Sequence, residues 1–226
     1  MLPYFFVPSW THYALMAVAV LLGHILQRVR ARQLGLNHVQ AGNLSLLMVF
    51  GAAYGSHFLG LAMTGKLTSV PLWFLLSPYG YGVALGGLGG AFLAGAAYTY
   101  FRRMPLIPHL EAAAWAFPLP WIVLRTGCFL AHDAVGRPYS GWLALNAPEG
   151  PRHDLAFYEI LWALGLLGLL WKRPAFAAPK LLISFGILRA AIAPLRTQPS
   201  SIDWAGAAVL VFAGIVIYRA ESARKE

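Results

Sequence analysis

Residues 1–27, 33–65 and 67–101 contain no Asp, Glu, Lys or Arg. A helix needs about 20 predominantly apolar residues to cross a bilayer, so each of these runs is long enough to hold a span. Only 11% of the 226 residues are charged, against roughly 25% in soluble domains, and the mean hydropathy is +0.62. The fold class read from this is all-α: a polytopic helical membrane protein, with residues 1–226 expected to form a single integral membrane domain. The opening MLPYFFVPSW has neither the basic segment nor the small-residue cleavage site of a signal peptide, so the first span is expected to be retained.

Helix-length apolar segments fall at about 10–27, 41–63, 81–100, 109–126, 155–171, 180–196 and 204–218. Seven spans put the termini on opposite faces of the membrane. Arg28, Arg30 and Arg32 follow the first span, and Arg102 and Arg103 the third. Lys172, Arg173 and Lys180 lie between the fifth and sixth, while Arg219, Arg224 and Lys225 follow the seventh. All eleven share one side, which the positive-inside rule assigns to the cytoplasm. The N-terminus is thus expected outside and the C-terminus in the cytoplasm. The net charge of +9 does not signal nucleic acid, because the basic residues sit between spans rather than on one soluble face.

Six basic residues remain: Lys66, Arg125, Arg137, Arg152, Arg189 and Arg196. Lys66 reads as a solvated loop residue. The other five are all arginine, on or near the outer ends of spans four to six. A charge within a span costs at least ~2.5–3.5 kcal/mol and normally faces a bundle interior or cavity. Snorkelling to the interface, with Glu159 or Asp154 as acidic partners, accounts for a single arginine. Five converging on one face point instead to an outward-facing site for an anionic lipid, since the guanidinium fork matches phosphate. The glycine run from Gly80 to Gly90 fits no nucleotide loop. Gly82, Gly86 and Gly90 recur every four residues, the spacing that lets membrane helices approach closely, with room beside them for an acyl chain.

Between Leu124 and Gly141 the chain gathers Arg125, Cys128, His132, Asp133 and Arg137 where an apolar segment ends. Pro118, Pro120 and Pro138 bracket it and will kink or stop the helix. His132-Asp133 and His153-Asp154 are two His–Asp pairs, each able to relay a proton near neutral pH. Adjacent residues project in different directions and no ligand spacing is present, so no metal site is expected from these pairs. The lone Cys128 reads as a small packing residue, and no cofactor signature appears.

The segment Arg125-Thr-Gly-Cys-Phe-Leu-Ala-His-Asp-Ala-Val-Gly-Arg137 resembles the signature of the bacterial prolipoprotein diacylglyceryl transferase family, Arg-x-Gly-Asn-Phe-x-Asn-Gly-Glu-x-x-Gly-Arg. His12-Tyr-Ala-Leu-Met16 is similar to that family's Trp-Tyr-Gly-Leu-Met, and Leu85-Gly-Gly-Leu-Gly-Gly90 to its His-Gly-Gly-Leu-x-Gly. Arg152-His-Asp-Leu-Ala-Phe-Tyr-Glu159 resembles Arg-His-Pro-Ser-Gln-Leu-Tyr-Glu, and Phe185-Gly-Ile-Leu-Arg189, with Arg196 beyond it, resembles Tyr-Gly-x-x-Arg and its trailing arginine. The matches occur in the family's order and cover nearly the whole chain.

The resemblance implies a transferase of the bacterial inner membrane with its active site on the outer side. Such an enzyme moves the diacylglyceryl group of phosphatidylglycerol, or a related anionic phospholipid, to the cysteine thiol of a lipoprotein precursor. By position, Arg125, Arg137, Arg189 and Arg196 would handle the phosphoglycerol head group. Tyr13 would line the site, Gly127 and Gly136 would shape its loop, and Tyr158 and Glu159 would pack or orient it. Some positions depart from the pattern. The family histidine is Leu85, the two asparagines are Cys128 and Ala131, and the glutamate is shortened to Asp133. The tyrosine is Phe185, the acidic residue four places after the span-six arginine is Ala193, and Gly51-Ala-Ala-Tyr54 stands where an arginine is expected. The anion-binding half is kept and the proton-handling half is altered, so His132 with Asp133 is the expected replacement base. Two further functions fit the departures: lipid transfer to a different acceptor, and lipid binding or transport without catalysis.

Overall fold

A computed structural model of the chain describes residues 2–4, 7–8, 10–77 and 83–223. Gly80, Gly82, Arg224 and Lys225 lie outside the described residues. The structure is mostly helical, as the apolar runs require, and forms two compact units, residues 27–109 and residues 1–26 with 110–226.

In the first of these units, α2 (His38–Met63) starts at Asn37, whose side-chain oxygen accepts from the Val39 and Gln40 amides and so satisfies two orphan N–H groups of the helix end. A short α3 (Leu72–Leu76) precedes α4 (Ala84–Phe101). Helices α2 and α4 pack through reciprocal glycines. A Cβ on Gly90 would strike the Gly51 carbonyl oxygen, one on Gly55 the Gly86 carbonyl oxygen, and the converse clashes hold. The four-residue glycine spacing thus has a matching face, Gly51-x-x-x-Gly55, in the segment where the family pattern has an arginine.

The other unit contains most of α1 (Trp10–Gln33), most of α5 (Leu106–Ala116), and α6 (Pro118–Ala131), α7 (Leu155–Lys172), α8 (Ala177–Ile192) and α9 (Ser201–Ser222). The expected fourth span is broken: α5 and α6 meet at 47°, with Pro118 and Pro120 in the first turn of α6, where proline needs no amide partner. Glu111 of α5 accepts the Ala177 and Ala178 amides at 2.8 and 2.7 Å, an anion placed on the positive end of α8.

Between α6 and α7 lies a three-stranded antiparallel sheet in the order β1 (Val135–Pro138), β3 (Gly150–Asp154), β2 (Leu145–Ala147). Leu2 bridges to Leu145 at the edge of β2. The chain is nonetheless mostly helical, consistent with the expected all-α polytopic membrane fold, to which this small sheet is an addition. Five described helices (α1, α2, α7, α9 and α8 with its following 3₁₀ turn) are long and apolar enough to cross a membrane, and a sixth if the bent α5–α6 pair counts once. The expected third span falls on α4, which carries five glycines and is not among these candidate spans.

Candidate functional site

The sheet closes one end of its helical unit, because α6 runs into β1 and β3 runs into α7. The turn between α8 and α9 joins that end through β1: the Arg137 Nε donates to the Arg196 carbonyl at 2.9 Å. A Cβ on Gly136 would lie 2.5 Å from the Leu195 carbonyl oxygen, so only glycine lets β1 reach this turn.

Across this end runs a chain of alternating charges. The Arg125 Nε donates to Glu159 Oε2 at 2.6 Å, and Arg189 approaches Oε1 of the same carboxylate at 3.4 Å. Arg189 also donates to Asp203 Oδ1 at 3.1 Å, where an Arg196 nitrogen lies 3.5 Å away. The other oxygen of Asp203 accepts the Ser200 amide in the capping box that starts α9. Glu159 is 2% exposed and the Arg196 side chain 33%, so the chain runs from the protein interior to an open end. Buried charges are tolerated when paired and hydrogen-bonded, which these are. Arg125 also lies 4.9 Å over the Trp121 ring.

The excess of charge sits at the open end. Arg125 and Arg189 are committed to carboxylates, whereas Arg137 has no carboxylate partner among the described residues. Arg196 keeps a buried Nε with no hydrogen bond. Four arginines against two carboxylates leave a net of two positive charges over the cluster, with Arg189 and Arg196 sharing Asp203. This arrangement can take an anion bidentately.

A second group forms where α1 meets α6. A Cβ on Gly127 would lie 3.3 Å from Leu15 Cβ and 3.4 Å from the His12 carbonyl oxygen, so the glycine allows α1 close in and sets His12 beside Cys128. Helix α6 ends in a left-handed residue, His132 (φ 53°). That turn folds the chain back, so the Asp133 amide bonds the Cys128 carbonyl at 3.3 Å. The His12 nitrogen, Cys128 sulfur and Asp133 oxygen consequently lie within 4.8 Å of one another. Asp133 faces His12 at 3.7 Å. The His132 ring stacks on Tyr4 with centroids 3.9 Å apart.

The remaining expected residues lie around these groups. Tyr13 is half-exposed and edge-on to His12. The His153 ring nitrogen hydrogen-bonds the Tyr158 hydroxyl at 2.7 Å and the ring stacks on Tyr139; burial holds its pKa below the ordinary value. Arg152 turns to Glu149 and the Gly136 carbonyl. Asp154 caps α7 through the Phe157 amide at 2.9 Å, and burial pushes its carboxyl up to about 6, against the pull of the Phe157 and Ala156 amides. Sequence reasoning missed Asp203, although Ser200-x-x-Asp203 before an apolar run is a helix-start pattern. Beside it, between α8 and α9, lies an apolar groove of about 510 Å³ lined by Ala190, Trp204, Ala208 and Phe212 among others.

These features define a multi-pass helical membrane protein with a buried arginine–carboxylate chain that runs to a partly exposed, arginine-bearing end. More specifically, the chain belongs to the prolipoprotein diacylglyceryl transferase family, whose model matches residues 7–220. It is 28% identical over 183 residues to the phosphatidylglycerol–prolipoprotein diacylglyceryl transferase of Thermosynechococcus vestitus, covering 75% of this chain and 68% of that protein. The resemblance carried by the sequence motifs is borne out at the level of the family.

Proposed function

We propose that this protein transfers the diacylglyceryl group of phosphatidylglycerol, or of a related anionic phospholipid, to the cysteine thiol of a lipoprotein precursor. The reaction takes place at the outer side of the bacterial inner membrane, with seven spans, the N-terminus outside and the C-terminus in the cytoplasm. The observation that carries the reading is the net positive charge at the open end of a buried charge chain, where Arg137 has no carboxylate partner among the described residues and Arg196 shares Asp203 with Arg189, in a member of this family.

In the reaction, the acceptor sulfur attacks the glycerol carbon that bears the phosphate ester. A C–S bond forms, the C–O bond breaks, and glycerol phosphate leaves with the electron pair. Negative charge grows on the leaving phosphate, and donors fixed in advance at that position lower the barrier. Arg137 and Arg196 supply those donors. Glu159 and Asp203 hold Arg125 and Arg189 behind them, so the site does not reorganise as charge develops. The apolar groove between α8 and α9 adjoins Asp203 and offers a path for an acyl chain. His12, Cys128 and Asp133, in the same unit, are the groups nearest in chemistry to thiol activation.

Complementation of a strain depleted of its own transferase tests the reading. Expression of this chain is expected to restore growth and to lipidate a reporter lipoprotein. The Arg137→Ala/Arg196→Ala double variant, present in the membrane at normal level, is expected to do neither. Failure of the parent chain to lipidate the reporter at normal membrane level would overturn the proposal.

A further inference from the structure

We propose that His12, Cys128 and Asp133 form a binding site for a divalent transition metal of the zinc class. Their three ligand atoms lie within 4.8 Å of one another, each from a different chemical class: imidazole, thiolate and carboxylate. This is a ligand set that zinc accepts and that hard cations such as magnesium do not favour. The imidazole is poised for it: His12 Nδ1 is buried and has no hydrogen bond, its contact with Asp133 being too long at 3.7 Å.

Charge supports the assignment. A thiolate, a carboxylate and a neutral imidazole together offset the two charges of the ion, so the site is neutral when filled. Arg125 does not oppose it, because Glu159 already balances that guanidinium at 2.6 Å. Arg125 instead donates to the Cys128 sulfur at 3.4 Å, the kind of supporting hydrogen bond that orients a metal ligand. The backbone holds the three together without help from the ion: Gly127 sets α1 against α6, and the left-handed turn at His132 returns Asp133 over Cys128. All three are also positions where this chain departs from the family pattern, and the departures converge in space.

Metal binding would displace the Cys128 thiol proton to solvent and leave an open fourth position, as in catalytic rather than structural zinc sites. Resting on the transferase reading, that position would take the acceptor sulfur as a metal-bound thiolate, its proton released to solvent, supplying the activation for which the family histidine is missing at Leu85.

The test uses the full chain in detergent micelles, purified without a polyhistidine tag and stripped of metal, so that transferase activity is not needed. Titration with Co²⁺ is expected to reach about one ion per chain with a sulfur-to-cobalt charge-transfer band. His12→Ala and Asp133→Asn should each weaken binding by more than the roughly 10–100-fold that loss of a mere supporting partner costs. X-ray absorption of the zinc-loaded parent chain, which requires no variant, should place one sulfur at about 2.3 Å from the metal. No charge-transfer band at saturating cobalt, a zinc shell without sulfur, or affinity unchanged in both variants of a folded chain would each overturn the site.

Discussion

Glu159 carries two arginines on one buried carboxylate, Arg125 at 2.6 Å and Arg189 at 3.4 Å. Removing one member of a buried ion pair leaves uncompensated charge and typically costs about 3–5 kcal/mol. Glu159→Gln keeps the shape and is expected to lower the stability of the detergent-solubilised protein by about that amount; an unchanged melting temperature would contradict the paired assignment. Asp154 gives a pH signature. Its folded carboxyl titrates near 6, above the ordinary 3.8, so between those values the unfolded chain ionises first. Stability from this group is therefore present below about pH 4 and lost as pH rises to about 6, by up to about 3 kcal/mol. Asp154→Asn keeps the helix cap and should remove that loss, so melting curves of variant and parent should diverge as pH rises from 4 to 7. Parallel curves would contradict it. At this scale the arginines were legible, because a charge in an apolar run stands out. Their partners were less so: Asp203 lies fourteen positions from Arg189, and a chain turn that a sequence does not display brings it back. The same holds for His12 and Cys128.

Packing of α2 against α4 rests on four glycines whose missing side chains let carbonyl oxygens meet the opposite helix. Overpacking a fitted contact costs typically 1–3 kcal/mol. Gly90→Leu is expected to destabilise the protein by at least about that amount, while Gly89→Ala, with nothing within 4 Å of its new Cβ, should be neutral or mildly stabilising. Thermal denaturation monitored by circular dichroism distinguishes them, and equal effects would contradict the glycine interface. The repeat Gly86-x-x-x-Gly90 was legible from spacing alone. Its partner face was not, because one sequence does not show which helix lies opposite. The kink before α6 was legible through its prolines. The sheet was not: strands of four, three and five residues, two of them containing proline, are too short for an alternating pattern to emerge.

For the whole molecule, low charge and long apolar helices made the membrane class legible, and five ordered motif matches carried the family. The number of spans was harder to read: one segment breaks at 47° and another is glycine-rich, so length and apolar content do not map one to one onto helices. Across the molecule the arginines do two jobs. Arg125 and Arg189 are held between buried carboxylates, while Arg137 and the partly exposed Arg196, which shares Asp203, are the two proposed to meet an anion. The central claim is that this anion is the phosphate leaving group of a diacylglyceryl transfer. The most direct measurement reconstitutes the purified chain in vesicles containing phosphatidylglycerol with a synthetic lipobox peptide, and follows peptide mass and released glycerol phosphate together. The account predicts a thioether-linked diacylglyceryl peptide and equimolar glycerol phosphate, both abolished by Arg137→Ala/Arg196→Ala. Peptide left unmodified by a folded parent chain, or modified equally well by the double variant, would contradict it.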